Sequence, residues 1–195
     1  IAIIAKEQFA GVGQDGRKWI SPLGGIWLSA AYPIYNSKFL PEIFSLSIAN
    51  QLCEMFIEKS IKVNLKWPND IFYGSQKLIG FLPKVVTRGS EILYVRVGIG
   101  MNLNNNTPRE GISLSKALKQ KKICEYMWTS KILKVICKAV DTNNKKMKII
   151  QDANKCLNKK LLPKGYDSSV WSIKHIDWNG KLIMFDKKNE KILKL

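Results

Sequence analysis

Histidine is almost missing from this chain: His175 is the only one in 195 residues. The four cysteines, Cys53, Cys124, Cys137 and Cys156, are widely spaced and include no C-x-x-C pair. Together these shortages exclude a Cys/His zinc site and a disulfide framework, and leave reduced thiols that serve mainly as packing residues. No apolar run approaches the roughly 18 residues that cross a bilayer. Ile1-Ala2-Ile3-Ile4-Ala5 is too short, and too poor in basic residues, for a signal peptide. The expectation is a soluble, cytoplasmic protein without membrane contact.

Acidic residues are also scarce, 15 against 32 basic ones, for a net charge of +17. The excess is uneven, +4 over residues 1–115 and +13 over residues 116–195. Such asymmetry raises a nucleic-acid hypothesis. Arginine argues against it: every basic residue after Arg109 is lysine, without the arginine and aromatic interleaving that base readout or stacking uses. A solvated lysine surface is the simpler reading.

With 46% hydrophobic residues, the chain can bury one core of ordinary domain size with a small appendage. Residues 1–6 read as a strand entering a loop at 8–17, where Gly11, Gly13 and Gly16 relax backbone limits. Ile26–Tyr32 reads as a strand closed by Pro33, and Pro41–Lys59 carries apolar residues at helical spacing. Ile61–Lys66 reads as a strand. Ile71–Tyr73 and Lys77–Leu82 flank Gly74-Ser75-Gln76 as a hairpin, and Ile92–Ile99 reads as a strand buried on both faces. Helices are expected over 129–150 and 151–160, then a small β unit turning at Asn179-Gly180.

Lys66-Trp67-Pro68-Asn69-Asp70 carries the most chemistry, placing a cation, an amide and a carboxylate on one proline-stiffened turn at a strand's carboxyl end. Ordered with other segments, it resembles the K-W-P-N-D motif of biotin protein ligases of the biotin–[acetyl-CoA-carboxylase] ligase type. Gln8 followed by Gly11-x-Gly13-x-x-Gly16-Arg17-x-Trp19 is similar to that family's glycine-rich loop, G-R-G-R-x-G-R-x-W. Lys77-x-x-Gly80-x-Leu82 matches its K-x-x-G-x-L. Gly98-Ile99-Gly100-Met101-Asn102-Leu103-Asn104 resembles its G-x-G-I-N-x-N, and Ser113-Leu114 its S-L pair.

The resemblance implies an α+β fold, a class II synthetase-like mixed sheet with helices on one side, plus a small SH3-like β domain. It places the biotin- and ATP-binding catalytic domain at 1–160, its N-terminal part not included, and the SH3-like domain at 163–195. The family's S-T-N segment, which helps bind biotin, is not among these residues, and no helix-turn-helix precedes the catalytic segment. The implied activity is formation of biotinyl-5′-AMP from biotin and ATP, then transfer of biotin to a lysine of a carboxylase carrier domain. The alternatives are a lipoate or octanoate transferase of the same fold group and a non-catalytic biotin-binding relative.

By the same resemblance, Lys77, Asp70 and Lys66 are the catalytic candidates. Gln8, Gly11, Val12, Gly13, Gln14, Arg17, Trp19, Lys77 and Gly80 would bind biotin or its adenylate. Lys66, Asn69, Asp70 and Asn102 would bind ATP. No metal is expected on protein ligands alone, with Mg2+ accompanying the nucleotide near Asp70. A homodimer through the central sheet occurs among relatives. Three departures stand out. Val12 and Gln14 replace loop arginines, which predicts weaker hold on the adenylate; Pro83-Lys84 follows Leu82 where the family places a glutamate; and His175 stands where glycine is usual.

Overall fold

The computed structural model describes residues 1–35, 38–186 and 190–193. Its larger sheet has six strands in the order β1 (Ala2–Ala5), β2 (Ile26–Pro33), β6 (Glu91–Met101), β5 (Gln76–Arg88), β4 (Asp70–Tyr73) and β3 (Asn64–Lys66). The α+β class is as expected, but every strand pair in this sheet is antiparallel rather than mixed. Its β3–β4–β5–β6 half is joined by short turns, which only antiparallel neighbours allow. Among the described residues, parallel pairing is confined to isolated bridges, Leu65 with Leu157 and Lys77 with Gly111.

The 41–59 segment forms a 3-10 turn at Pro41–Ile43 and then α1 (Phe44–Ile57). After β6 come α2 (Leu114–Ala117), α3 (Glu125–Asp141) and α4 (Lys146–Cys156). The single helix expected over 129–150 is therefore two. Asn143 causes the break: it is fully buried in the connection, and its side-chain oxygen accepts the backbone N–H of Leu40. A side chain that bonds distant backbone competes with helix continuation. The second expected helix, 151–160, stops at Cys156 because the chain there turns to meet β3, Asn158 N–H donating to Leu65 C=O at 2.8 Å.

Helices α1, α3 and α4 cover one face of the sheet. Ile48, Leu52 and Phe56 of α1 meet Trp128, Ile132 and Ile136 of α3 over Leu28, Val97, Ile99 and Phe81 of the strands, all buried. The opposite face stays open. Alternation along β5 and β6 follows from this, since one side of each strand packs and the other does not. Both strands run beyond their expected limits, to Arg88 and from Glu91, around a turn at Gly89, whose φ is +59°. Conversely β3 begins at Asn64, three residues later than expected.

A three-stranded antiparallel sheet follows, with β7 (Ser172–Ile176), β8 (Leu182–Phe185) and β9 (Glu190–Leu193) in that order. Asn154 of α4 grips it twice, donating to Ile176 C=O at 2.9 Å and accepting Ile176 N–H at 2.8 Å. Ile173, Ile176, Leu182 and Met184 join the main core cluster. Residues 187–189 and 194–195 of the expected SH3-like unit lie outside the described residues.

Candidate functional site

The open face of the sheet forms the floor of a cleft of about 680 Å³. Its rows follow from strand register. Asp70, Gly80, Gly100 and Trp27 lie side by side across β4, β5, β6 and β2; the next row is Leu82, Gly98 and Ser29; the next is Lys84, Arg96 and Ala31. Glycines in the first two rows lower the floor where neighbouring strands carry side chains. At Gly80 a β-carbon would come within 3.0 Å of the Trp19 ring, and at Gly100 it would collide with the Trp19 indole. At Gly98 nothing of the protein lies within 4 Å, so that space belongs to the cleft.

The glycine-rich loop closes one wall as a short hairpin. Backbone bonds tie Trp19 N–H to Gly11 C=O at 2.8 Å, Gly13 N–H to Arg17 C=O at 2.7 Å and Gln8 N–H to Ser21 C=O at 2.9 Å. Its tip is a 3-10 turn, Gln14–Gly16, with Asp15 at φ 57° and Gly16 at φ 72°. Gln8, Val12, Gly13, Gln14, Arg17 and Trp19 all line the cleft. The Gln8 amide oxygen accepts from Ser21 Oγ at 2.7 Å, which orients the side chain. Gly11 is buried beneath, where a side chain would meet Trp19 C=O; it shapes the loop and does not face the cleft.

Lys77 and Asp70 form the charged centre, Nζ to Oδ1 at 2.6 Å, with both side chains about three-quarters buried or more. Lys77 Nζ also sits 4.6 Å from the Trp19 ring centroid, within cation–π range. Trp19 Nε1 is buried with no hydrogen-bond partner, a donor left open on the protein side. Asn69 lines the cleft too, but its amide donates to Phe81 C=O at 2.8 Å while Phe81 N–H returns a bond to Asn69 C=O at 3.0 Å. It thereby fixes the turn to β5. The Trp67–Pro68 bond is cis, and Trp67 is buried, its indole N–H donating to Gly180 C=O at 3.1 Å.

Besides Gly11, two candidates lie off the cleft. Half-buried Lys66 reaches toward the Phe72 ring, 5.4 Å away, and loss of water lowers its pKa; Asp70 opposes that shift, while Lys77 and Arg17 add to it. Asn102 is buried behind the floor, donating to Lys77 C=O at 3.3 Å and accepting from Asn105 Nδ2 at 2.9 Å. It positions the strand that carries Lys77. Gly80 and Gly98 line the floor as expected, whereas Lys18, Ser29, Lys84 and Arg96 line the cleft outside the predicted set. Period-two alternation on β5 and β6 was the signal that could have found Lys84 and Arg96. Among the described residues, no group of three or more His, Cys, Asp or Glu could hold a metal ion.

The Biotin/lipoate A/B protein ligase family profile matches residues 1–102. Among curated proteins, the Escherichia coli bifunctional ligase/repressor BirA is 31% identical over 113 residues, 57% of this chain and 35% of its own length. Human biotin--protein ligase is 28% identical over 115 residues, 55% of this chain and 16% of its own length. The match thus spans 35% of the first relative's length and 16% of the second's. Among solved structures, Aquifex aeolicus biotin protein ligase in complex with biotin and ATP superposes with a TM-score of 0.75 at 23% identity, covering 100% of this chain and 85% of that one. The Leishmania major ligase in complex with biotinyl-5-AMP gives 0.61 at 25%, covering 100% and 88%.

Proposed function

The chain belongs to the biotin/lipoate A/B protein ligase family, and from that premise we propose that it is a biotin protein ligase. It forms biotinyl-5′-AMP from biotin and ATP and passes biotin to a lysine of a carboxylase carrier domain. The observation that carries this reading is the Lys77–Asp70 pair, held at 2.6 Å beside a glycine floor open to a ligand. Relatives that match in sequence include ones named biotin--protein ligase and biotin--[acetyl-CoA-carboxylase] ligase, which supports the same choice.

In the first step a biotin carboxylate oxygen attacks the α-phosphate, the bond to the β-phosphate breaks, and pyrophosphate leaves. Anions must be brought together, so cations fixed in place do the catalytic work. Lys77 is held at the floor by Asn102 beneath its backbone and Trp19 beside its ammonium, and meets the carboxylate and α-phosphate. Arg17 reaches the phosphates from the loop. Gln8 offers an amide that donates and accepts, suited to the ureido end of biotin. Lys66 adds positive potential from behind the turn.

In the second step the carrier lysine's amine attacks the acyl carbon and AMP leaves. Asp70, the only carboxylate lining the cleft among the described residues, receives that ammonium or its proton. Mg2+ would arrive on the nucleotide phosphates, with Asp70 as the one protein carboxylate to meet it; magnesium commonly binds in this way. It would supply charge neutralisation at the phosphates.

The test is pyrophosphate release and mass-spectrometric detection of the acyl-adenylate with biotin, lipoate or octanoate plus ATP and Mg2+, followed by transfer to a carrier domain. Release and adenylate formation with biotin alone are expected. Preference for lipoate or octanoate would move the assignment within the family, and no release with any acid would overturn an enzymatic role.

A further inference from the structure

Two cysteines that lie far apart in the chain, Cys53 and Cys156, meet between α1 and α4. The two helices pack together, and Asn50 Nδ2 of α1 donates to Ile149 C=O of α4 at 2.8 Å. Cys53 follows Asn50 by one turn; Ile149, Ala153 and Cys156 recur at i, i+4 and i+7, so each cysteine lies on the face its helix turns to the other. Cys53 is fully buried, Cys156 at the end of α4 is only partly covered, and the two thiols are hydrogen-bonded to each other. Cys124 and Cys137 are exposed elsewhere.

The chemistry proposed for the cleft leaves this pair unused, and its two members differ. The hydrogen bond from Cys53 holds the Cys156 thiol below its ordinary pKa, with Lys155 aiding and burial and Asp152 opposing. The same bond, together with burial, pushes Cys53 up. One sulfur is therefore a reachable nucleophile and the other a buried thiol beside it, which is the division a peroxide-reactive cysteine and its resolving partner require. The pair also stands behind the Lys66–Asp70 turn: Ser45 of α1 donates to Pro68 C=O at 2.9 Å, and Leu157, next to Cys156, bridges Leu65 of β3. A bond between the two sulfurs joins both supports of that turn.

We propose that Cys53 and Cys156 form a reversible dithiol–disulfide site whose oxidant is a hydroperoxide. The Cys156 thiolate attacks one peroxide oxygen, the O–O bond breaks, and the other oxygen takes a proton and leaves as water or alcohol. The Cys53 sulfur then attacks the sulfenic acid sulfur, the S–O bond breaks, and the hydroxyl leaves as water with the Cys53 proton. Two thiols lose two electrons to the peroxide, and a thiol reductant reverses the change by exchange. None of this depends on the function proposed above.

The test uses the full chain carrying Cys124→Ser/Cys137→Ser, in which only this pair is left to react. The folded protein is treated with hydrogen peroxide, then unfolded, alkylated with iodoacetamide and read by intact and peptide mass spectrometry. The expected product has lost two hydrogen atoms, takes up no alkyl group and yields a linked Cys53–Cys156 peptide, and dithiothreitol before alkylation restores both thiols. Closing a loop of roughly 100 residues should raise Tm by about 5 °C or more over the reduced form. In Cys53→Ala, made in the same background, dimedone should trap a sulfenic acid at Cys156; in Cys156→Ala, peroxide should leave Cys53 open to alkylation. The linked peptide from the chain that keeps both cysteines decides the proposal even where a variant fails to fold. Two thiols still alkylated after peroxide, Cys156 carried to sulfinic acid beside a free Cys53, or an oxidised form that melts below the reduced one would each overturn the site.

Discussion

At the scale of single residues, the proposed function rests on Lys77 and Asp70. Lys77→Met should lower adenylate formation by about a hundredfold or more, the usual cost of removing one preorganised charge from a phosphoryl or acyl site, measured as pyrophosphate release at saturating substrate. Asp70→Asn leaves the ammonium without its partner at 2.6 Å, so roughly 1–3 kcal/mol of stability should go with the activity. Lys66 gives a pH-dependent signature. Burial lowers its pKa, so the unfolded chain holds this proton to higher pH than the folded chain does. The penalty is complete below the folded value and vanishes as pH rises past the ordinary lysine range. Lys66→Met should therefore melt above wild type at neutral pH, with the difference shrinking as pH rises toward about 10.4. Gln14 lines the cleft at the loop tip without a charge. Gln14→Arg should slow release of preformed biotinyl-5′-AMP, read by rapid dilution, and equal release rates would remove any role for the missing cation.

At the scale of elements, the glycines of β5 and β6 separate what the fold needs from what a ligand needs. Gly100 lies under the Trp19 indole, so Gly100→Ala should displace Trp19 and lower Tm as well as biotin binding. Gly98 has open space above it, so Gly98→Val should fold with a near-normal melting curve and lose biotin binding by tenfold or more in calorimetry. A melting point that falls as far for Gly98→Val as for Gly100→Ala would contradict this division. The same strands show what could be read from sequence. The Pro41–Lys59 helix, the hairpin after Asp70 and the strand expected at Ile92–Ile99 follow from local periodicity and turn residues, and the order of motifs brought Gln8, Asp70 and Lys77 to one cleft. Period-two alternation could in principle have aligned Lys84 with Arg96, but only once the register of β5 on β6 was known. The helix break at Asn143 was hidden for a similar reason: its cause is a bond to Leu40, about a hundred residues away in the chain.

For the whole molecule, the question is whether the C-terminal sheet is an independent domain or part of one folding unit. Its inward residues Ile173, Ile176, Leu182 and Met184 belong to the same buried cluster as α1 and the large sheet. Trp67, beside the cleft turn, donates its indole N–H to Gly180 in the β7–β8 turn, and both hydrogen bonds of the Asn154 side chain to Ile176 bind α4 to β7. A sheet of three short strands buries too little to stand alone, so its stability must come from this shared core. Unfolding in urea should then be one transition, coincident by tryptophan fluorescence and far-ultraviolet circular dichroism. Asn154→Ala removes both bonds to the buried Ile176 backbone, at roughly 1–3 kcal/mol for each group left unsatisfied, and should shift that single midpoint downward with the slope unchanged. Two separated transitions, or an early loss of the C-terminal sheet in Asn154→Ala while the helical signal persists, would show that the sheet folds as its own domain. The Trp67–Gly180 bond gives the single-transition outcome a functional consequence: loosening the C-terminal sheet would loosen the turn that carries Asn69 and Asp70, and adenylate formation should decline in step with the fraction folded.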